Sequence, residues 1–362
     1  MSDLQEARKR INEIDAQMAH LFEERMDAVA KVADYKLKRG LPVYDKDREK
    51  EVLDKNTAYL TKDEYQPYYT LFQQSVMDVS KNYQRQMLDG LHIAYSGVEG
   101  AYAHIVTRRV FPQGKSVSYP NFEAAYRAVE QGECDCLVLP IENSFAGQVG
   151  DNIDLIFEGT LYITGIYELP IQHNLLGVKG ARAEDIQSVI SHEQALEQCT
   201  TYIEEHNLDC QTCRNTAVAA KTVAKKEDKT LGAIASKETA ELYGLDILAE
   251  KINDSNLNTT RFAVLSRKKN DKQRIQGHFV MMFTVSHQAG ALAKAIDIIG
   301  RYGFNMEAIK SRALKGKLWQ YYFYTEIEGN PYGKSGAKMV EDLQEYCDYV
   351  RIIGTFDAHV VI

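Results

Sequence analysis

Several classes of protein are excluded by what this sequence lacks. Its first thirty residues carry charge on nearly every turn and contain no apolar h-region, so no secretory signal is readable and a cytoplasmic protein is expected. No membrane span is expected either. The longest uncharged stretch, Gln276 to Ala293, is interrupted by His278, Ser286, His287, Gln288 and Gly290. Six cysteines in 362 residues are not a disulfide framework in a reducing compartment. Cys210-Gln211-Thr212-Cys213 has the spacing of a metal or redox pair with His206 nearby, but no second pair follows, so ordinary thiols and no metal are expected. Positive charge is in deficit as well. A net charge of −8 disfavours a general affinity for nucleic acid or anionic lipid, though not a local basic pocket. No G-x-G-x-x-G is present, which argues against NAD, and no G-x-S-x-G surrounds Ser144, which argues against a hydrolase built on Ser144 and His192.

What is present suits a globular protein of two or three domains: 44% hydrophobic and 26% charged residues, with mean hydropathy −0.37. From Leu4 to Tyr35 apolar residues recur at steps of three and four with no glycine or proline before Gly40-Leu41-Pro42, which predicts one long helix whose seam packs against another copy. Asp45 is placed to cap a second helix, and Thr61-Lys62-Asp63-Glu64 has capping-box spacing for a third reaching about Met87. Residues 1–89 are therefore expected to be all-helical.

After Asp89-Gly90 short apolar runs alternate with helical stretches, at Ile93-Ala94-Tyr95, Cys136 to Leu139, Val189-Ile190, Gly232 to Ala235 and Phe262 to Leu265. That alternation predicts an α/β domain over 91–267 with a mostly parallel sheet. Its length suggests two lobes that cross near Pro170-Ile171-Gln172-His173, with a ligand cleft between them. Residues 267–274 read as a solvated linker, and 278–362 as a βαββαβ, ferredoxin-like domain.

In the helical domain Arg25 breaks the apolar seam. An unpaired charge there costs several kcal/mol, so it needs either a buried ion-pair partner or an anionic ligand. Arg8, Lys36 and Arg48 could share a dianion with it, but Arg8 and Lys36 lie about 42 Å apart along one helix, so Arg8 would come from a partner subunit. Arg8, Arg25, Lys36, Asp45, Arg48, Glu49, Ser80 and Gln84 on three helices, with Leu41-Pro42-Val43 in the turn, closely resemble the all-helical chorismate mutases. The resemblance implies a rearrangement of chorismate to prephenate in an intertwined dimer. By it, Arg8 and Arg25 hold the carboxylates, Lys36 and Gln84 donate to the ether oxygen, and Asp45, Arg48, Glu49 and Ser80 position the ring and hydroxyl. A pericyclic step needs no nucleophile or cofactor, only a compact conformer and donors aimed at charge on the breaking C–O bond.

In the α/β domain polar clusters follow apolar strands: Ser96-Gly97-Val98-Glu99-Gly100, Pro140-Ile141-Glu142-Asn143-Ser144, Ser191-His192-Glu193-Gln194-Ala195-Leu196 and Thr260-Arg261-Phe262. As an ordered set they look like prephenate dehydratase. The resemblance implies two lobes like those of periplasmic binding proteins, Thr260 as the residue on which dehydration depends, and a substrate site that includes Glu142, Asn143, Ser144, His192, Gln194, Arg261 and Phe262. A threonine hydroxyl is a poor acid, so Thr260 is expected to donate a hydrogen bond to the leaving hydroxyl and Arg261 to bind the pyruvyl carboxylate. Ala103 stands where the family usually has a hydroxyl residue, which leaves arogenate as an alternative to prephenate.

The C-terminal segment resembles an ACT domain, which implies an amino-acid effector held by Gly290, Ala291, Leu292, Ser311 and Arg312. Lys310-Ser311-Arg312-Ala313 departs from the family's Glu-Ser-Arg-Pro and is expected to weaken coupling. The domain order matches the bifunctional P-proteins. The expected protein thus makes phenylpyruvate from chorismate for phenylalanine biosynthesis, under phenylalanine feedback, as a homodimer or higher homo-oligomer without cofactor. A sensor that binds an aromatic acid without turnover is the alternative from another class.

Overall fold

The computed structural model describes residues 2–39, 46–270 and 277–362. The chain divides into two compact units, Met1–His92 with Gln113–Lys115, and Ile93–Pro112 with Ser116–Ile362. Among the described residues no helix is long and apolar enough to cross a membrane.

The first unit contains helices α1 (Asp3–Arg39), α2 (Lys46–Thr57) and α3 (Gln66–Asp89). The 37 residues of α1 form a rod of about 55 Å. Ala33 and Met77 are buried where α1 packs on α3, and Asn56 of α2 donates to Gln73 of α3 at 3.1 Å. Much of the seam stays uncovered within the chain: Leu4, Ile11, Ile14, Met18, Leu21 and Val32 are all exposed. The third helix begins later than the capping-box spacing predicts. Asp63–Tyr65 forms a 3-10 turn, Thr61 caps nothing, and Pro67 occupies the first turn of α3, where a missing N–H costs no hydrogen bond. The expected cap Asp45 lies outside the described residues.

The second unit opens with β1 (His92–Ser96), α4 (Tyr102–Val110), β2 (Lys115–Tyr119), α5 (Phe122–Glu130), β3 (Cys136–Asn143), β4 (Gly147–Gln148), α6 (Gly150–Glu158) and β5 (Tyr162–Pro170). A second lobe follows with β6 (Asn174–Gly177), β7 (Ser188–Ser191), α7 (Glu193–Glu197), α8 (Thr200–Glu205), β8 (Asp209–Thr212), α9 (Thr216–Lys226), β9 (Leu231–Ala235), α10 (Lys237–Tyr243) and β10 (Asp246–Ala249), in a sheet of order β10-β6-β9-β7-β8. The chain returns to the first lobe as β11 (Thr259–Ser266). The outward crossing falls at residues 171–173, as expected. It is tied to the return crossing where Ile171 N–H donates to the Asn258 carbonyl at 2.7 Å and Asn253 accepts from His173 N–H at 2.7 Å. The sheets are mixed rather than mostly parallel. β1–β3 and β7–β8–β9 are parallel, but β11, re-entering from the other lobe, runs antiparallel between β3 and β5.

The C-terminal segment folds as β12 (His278–Thr284), α11 (Ala291–Arg301), β13 (Met306–Ala313), β14 (Tyr321–Glu328), α12 (Lys334–Tyr346) and β15 (Tyr349–Phe356), in the ferredoxin-like order β13-β14-β12-β15, followed by β16 (His359–Val361). It is not a separate sheet. β15 pairs β5 at Gly354↔Ile163 and β16 pairs β5 from His359↔Ile166, giving one eleven-stranded sheet. A Cβ on Gly354 would lie 2.0 Å from the Ile163 carbonyl oxygen, so only glycine permits this approach. Residues 267–269 are exposed, as a solvated linker requires, but the segment is tied down: Arg267 donates to the Cys134 carbonyl at 2.9 Å, and Asn270 to Thr164 and Thr355 carbonyls at 2.8 and 2.6 Å. Residues 271–276 lie outside the described residues.

Candidate active sites

In the helical unit the Arg25 guanidinium donates to the Ser80 hydroxyl, which donates onward to the Val76 carbonyl at 2.7 Å. Burial lowers the Arg25 pKa, the mark of a cation held partly out of water. Gln84 lies one helical turn beyond Ser80. Both are buried, and the Gln84 Oε1 has no hydrogen-bond partner among the described residues. The structure thus brings Arg25, Ser80 and Gln84 to one α1–α3 face, with Lys36 half-buried on α1. Arg48 is exposed and pairs with Glu51 at 2.7 Å. Arg8 is exposed about 25 Å down α1 from Arg25, beyond reach of that face within one chain. Asp45 and the Glu49 side chain lie outside the described residues.

The α/β part holds a cavity of about 580 Å³ between its lobes, lined by Ser96, Gly97, Ala103, Arg214, Thr260 and Phe262 among others. A smaller cavity of about 150 Å³ shares Tyr102, Asn215 and Thr260 with it and adds Asn143, His192 and Gln194. Gly97 and Gly100 have φ of +107° and +87°, which the turn between β1 and α4 requires. The register of β3 against β11 slips at Ile141, opposing Asn143 to Thr260 and Glu142 to Arg261.

Thr260 is held by an ordered polar chain. Asn143 Nδ2 donates to Thr260 Oγ1 at 2.9 Å and to Asn258 Oδ1 at 2.8 Å, and Asn258 donates to Gln198 Oε1 at 2.7 Å. The same Gln198 oxygen meets His173 Nε2 at 3.1 Å, and His173 Nδ1 meets the Tyr102 hydroxyl at 3.2 Å. The amide oxygen of Gln198 can only accept, so Nε2 carries the proton and the Tyr102 hydroxyl donates to Nδ1. Burial lowers the His173 pKa against the opposing hydrogen bond from Gln198, and burial pushes the Tyr102 phenol far up, so both stay neutral. Because the Thr260 oxygen already accepts from Asn143, its own proton is available to a ligand in the cleft. Tyr102, His173, Gln198 and Asn258 were missed in the sequence, where they stand as isolated polar residues.

Two expected substrate contacts are elsewhere. Alternation along β11 turns Arg261 away from the cavity that Thr260 and Phe262 line. Arg261 Nε donates to Glu168 at 2.8 Å, and its Nη1 lies 3.4 Å from Glu326 and 3.8 Å from Glu142. Glu142 therefore belongs to that ion-pair cluster, not to the cleft. Arg214, in the β8–α9 loop, is the cation that faces the cavity. Phe262 is fully buried in the apolar core behind it. Ser144 is committed to the start of β11, donating to the Leu257 carbonyl at 2.9 Å and accepting from Thr259 N–H at 3.0 Å. His192 caps α7 through the Gln194 N–H at 3.3 Å. These bonds leave no serine–histidine pair. Cys210 and Cys213 have raised thiol pKa values from burial, unlike metal-binding thiolates.

In the C-terminal part Ala291 and Leu292 line a cavity of about 120 Å³ at the start of α11, which Gly290 caps at φ +79°. Arg312 does not line it. It makes a two-pronged ion pair with Asp154 of α6 at 2.7 and 2.8 Å, and Lys310 of the same strand pairs with Glu142. Ser311 lies between them on β13.

Two families match. The one described as Prephenate dehydratase matches residues 93–270, and Chorismate mutase type II matches residues 7–85. A bifunctional chorismate mutase/prephenate dehydratase of Neisseria gonorrhoeae is 30% identical over 98% of this chain and 97% of its own length. An arogenate dehydratase/prephenate dehydratase of Arabidopsis thaliana is 34% identical over 75% of this chain and 73% of its own. Among solved structures, a quorum quenching acylase has TM-score 0.69 at 32% identity, covering 74% of this chain and 98% of its own. A prephenate dehydratase from Arthrobacter aurescens in complex with L-Phe has TM-score 0.68 at 26% identity, covering 74% and 90%.

Proposed function

The chain belongs to the family of bifunctional chorismate mutase/prephenate dehydratases, and from that premise we propose how its residues divide the work. It rearranges chorismate to prephenate and then converts prephenate to phenylpyruvate. We assign the first reaction to residues 1–89, the second to 91–267 and regulation to 278–362.

For the mutase, Arg25 binds a substrate carboxylate, with Ser80 steadying its guanidinium. Gln84 and Lys36 donate to the ether oxygen as negative charge grows there. Two donors at about 3 kcal/mol each, with conformer selection, suffice for a modest enzymatic acceleration. Arg8 completes the site from a second copy, which the uncovered α1 seam supports. Arg48, Glu49 and Asp45 bound the ring side.

For the dehydratase, the observation that carries the reading is the Asn143–Thr260 hydrogen bond, which leaves the Thr260 proton directed at a ligand. As the ring carboxylate departs as CO2, its electron pair moves into the ring, aromatises it and expels the hydroxyl. Thr260 donates to that hydroxyl as charge develops on it. Arg214 takes the role first expected of Arg261, binding the pyruvyl carboxylate, while Asn143, His192 and Gln194 fix the ring. Ala103, buried at the cavity wall, favours a second reading in which arogenate is also accepted.

Phenylalanine is the proposed effector. The N–H groups at the start of α11 suit its carboxylate, and Ala291 and Leu292 its side chain. Lys310 and Arg312 bind Glu142 and Asp154, so the altered Lys310 to Ala313 segment supports coupling to the catalytic elements rather than weakening it.

The test is incubation of the full chain with chorismate and no added cofactor, followed over time for prephenate and phenylpyruvate, with arogenate supplied in parallel. Chorismate left unconverted would remove the mutase assignment; prephenate accumulating without phenylpyruvate would remove the dehydratase one. Millimolar phenylalanine that neither binds nor inhibits would remove the regulatory claim.

A further inference from the structure

Behind the cleft, on the face of β11 that Arg261 occupies, charge does not balance. Three carboxylates, Glu142, Glu168 and Glu326, pair with two permanent cations, Arg261 and Lys310, and a fourth, Glu307, joins the cluster through His359. Two histidines complete the cluster. His278 Nε2 lies 3.2 Å from Glu307 Oε1, and His359 Nε2 lies 3.6 Å from Glu307 Oε2 and 3.8 Å from Glu326 Oε2. Among the described residues, His278 Nδ1 and both nitrogens of His359 are buried without a hydrogen-bond partner. Stacking fixes both rings: His278 lies face to face with Phe356 at 5.4 Å, and His359 meets the same ring edge-on at 5.2 Å.

His278, Glu307 and His359 offer ligand atoms that all lie within 4.8 Å of one another. A tetrahedral ion with ligands near 2.1 Å holds them about 3.4 Å apart. The 3.2 and 3.6 Å separations end on different oxygens of the Glu307 carboxylate, so side-chain rotation has to bring one oxygen to both imidazoles. We propose that His278, Glu307 and His359 bind a divalent cation of the zinc class at the joint between the ferredoxin-like strands and β5, with Glu326 or water as the fourth ligand.

The donor set selects the metal: two imidazoles and one carboxylate suit zinc or cobalt, whereas magnesium and calcium want an all-oxygen shell. A divalent ion supplies the two positive charges the cluster lacks and a partner for His359 Nε2. It joins three strands, β12, β13 and β16, that are otherwise linked only through the sheet. Its role is structural. It lies on the far side of β11 from Thr260, so dehydratase chemistry does not pass through it.

The test uses the full chain freed of metal by a chelator. Cobalt(II) is expected to bind at one equivalent per chain with the visible absorption of a tetrahedral site, to be displaced by zinc but not by magnesium, and to raise Tm by several degrees when in large excess over Kd. His278→Gln and His359→Gln should each weaken binding at least about tenfold, while His206→Gln, on another lobe, leaves it unchanged. Glu307→Gln, at a partly exposed position, gives a ligand-loss variant should a histidine variant fail to fold. Absence of cobalt uptake, octahedral absorption only, or binding that survives both His359→Gln and Glu307→Gln in folded protein would overturn the proposal.

Discussion

The dehydratase site we propose turns on the Thr260 hydroxyl, which accepts from Asn143 and has its own proton to donate. The sequence reading chose Thr260 by resemblance; the reason appears only when β3 and β11 are paired and Asn143 Nδ2 meets Oγ1 at 2.9 Å. Thr260→Ala should lower phenylpyruvate formation by about 10²–10³, the usual loss for a donor to a developing charge, and Thr260→Ser should retain far more. Prephenate should then accumulate from chorismate. If serine and alanine behave alike, Thr260 packs rather than donates. The carboxylate-binding role expected of Arg261 is the one we propose for Arg214, of which the sequence reading expected nothing. Alternation along a strand could have shown that Thr260 and Arg261 face opposite ways. Nothing local marks Arg214, an exposed loop residue that tertiary folding brings to the cavity. Arg214→Gln should raise KM for prephenate about 10- to 100-fold, the worth of one charged hydrogen bond. Arg261→Gln should leave KM nearly unchanged and lower Tm, because it strands carboxylates instead. Steady-state kinetics beside thermal melts separate the two.

At the scale of elements, α6 and the β13–β14 pair meet at the Phe157–Tyr322 stack and at one buried carboxylate. Asp154 accepts from Arg312 at 2.7 Å, from Lys315 at 3.1 Å and from the Tyr322 hydroxyl at 2.5 Å. Burial alone would raise its pKa, but these hydrogen bonds, Arg312 foremost, outweigh it and hold Asp154 at about 2, below the ordinary 3.8. A folded pKa below the unfolded one stabilises above the unfolded value, and that stability disappears as pH falls from about 4 to about 2. The shift corresponds to about 2 kcal/mol. Asp154→Asn should therefore melt several degrees below the parent at pH 7, and the gap should narrow across that acid window. A gap independent of pH would mean shape rather than charge matters. Much of this architecture was legible: the β1, β3, β7, β9 and β11 runs and the βαββαβ order follow from apolar alternation and turn residues. The merger of the two parts was not, since β16 is only three residues long and its partner β5 lies almost two hundred residues earlier. The start of α3 was misjudged because Thr61 and Glu64 have the right spacing, whereas Pro67 sets the first turn.

For the whole molecule, the open question is how many chains make a mutase site. The apolar stripe on α1 and the exposed Tyr68, Leu71 and Phe72 on α3 leave more hydrophobic surface uncovered than a helical monomer of this size tolerates. Arg8 lies about 25 Å from Arg25 along a rigid helix, so a dianion cannot touch both within one chain. The two-fold dimer we propose would account for both facts, covering the stripe and carrying Arg8 of one copy to Arg25, Lys36 and Gln84 of the other. This arrangement makes an asymmetric prediction. Arg8→Ala and Lys36→Ala should each be nearly inactive as mutases alone. In a mixed dimer one site receives both defects, whereas the other takes Arg8 from the Lys36→Ala chain and Lys36 from the Arg8→Ala chain and is intact. Random exchange makes half the dimers mixed, so mutase activity should recover to roughly a quarter of the parent value. Dehydratase activity on supplied prephenate, measured in the same tubes, should stay constant as the internal control. If exchange is demonstrated by differently tagged chains and activity does not return, Arg8 acts within its own subunit and the shared-site geometry is wrong.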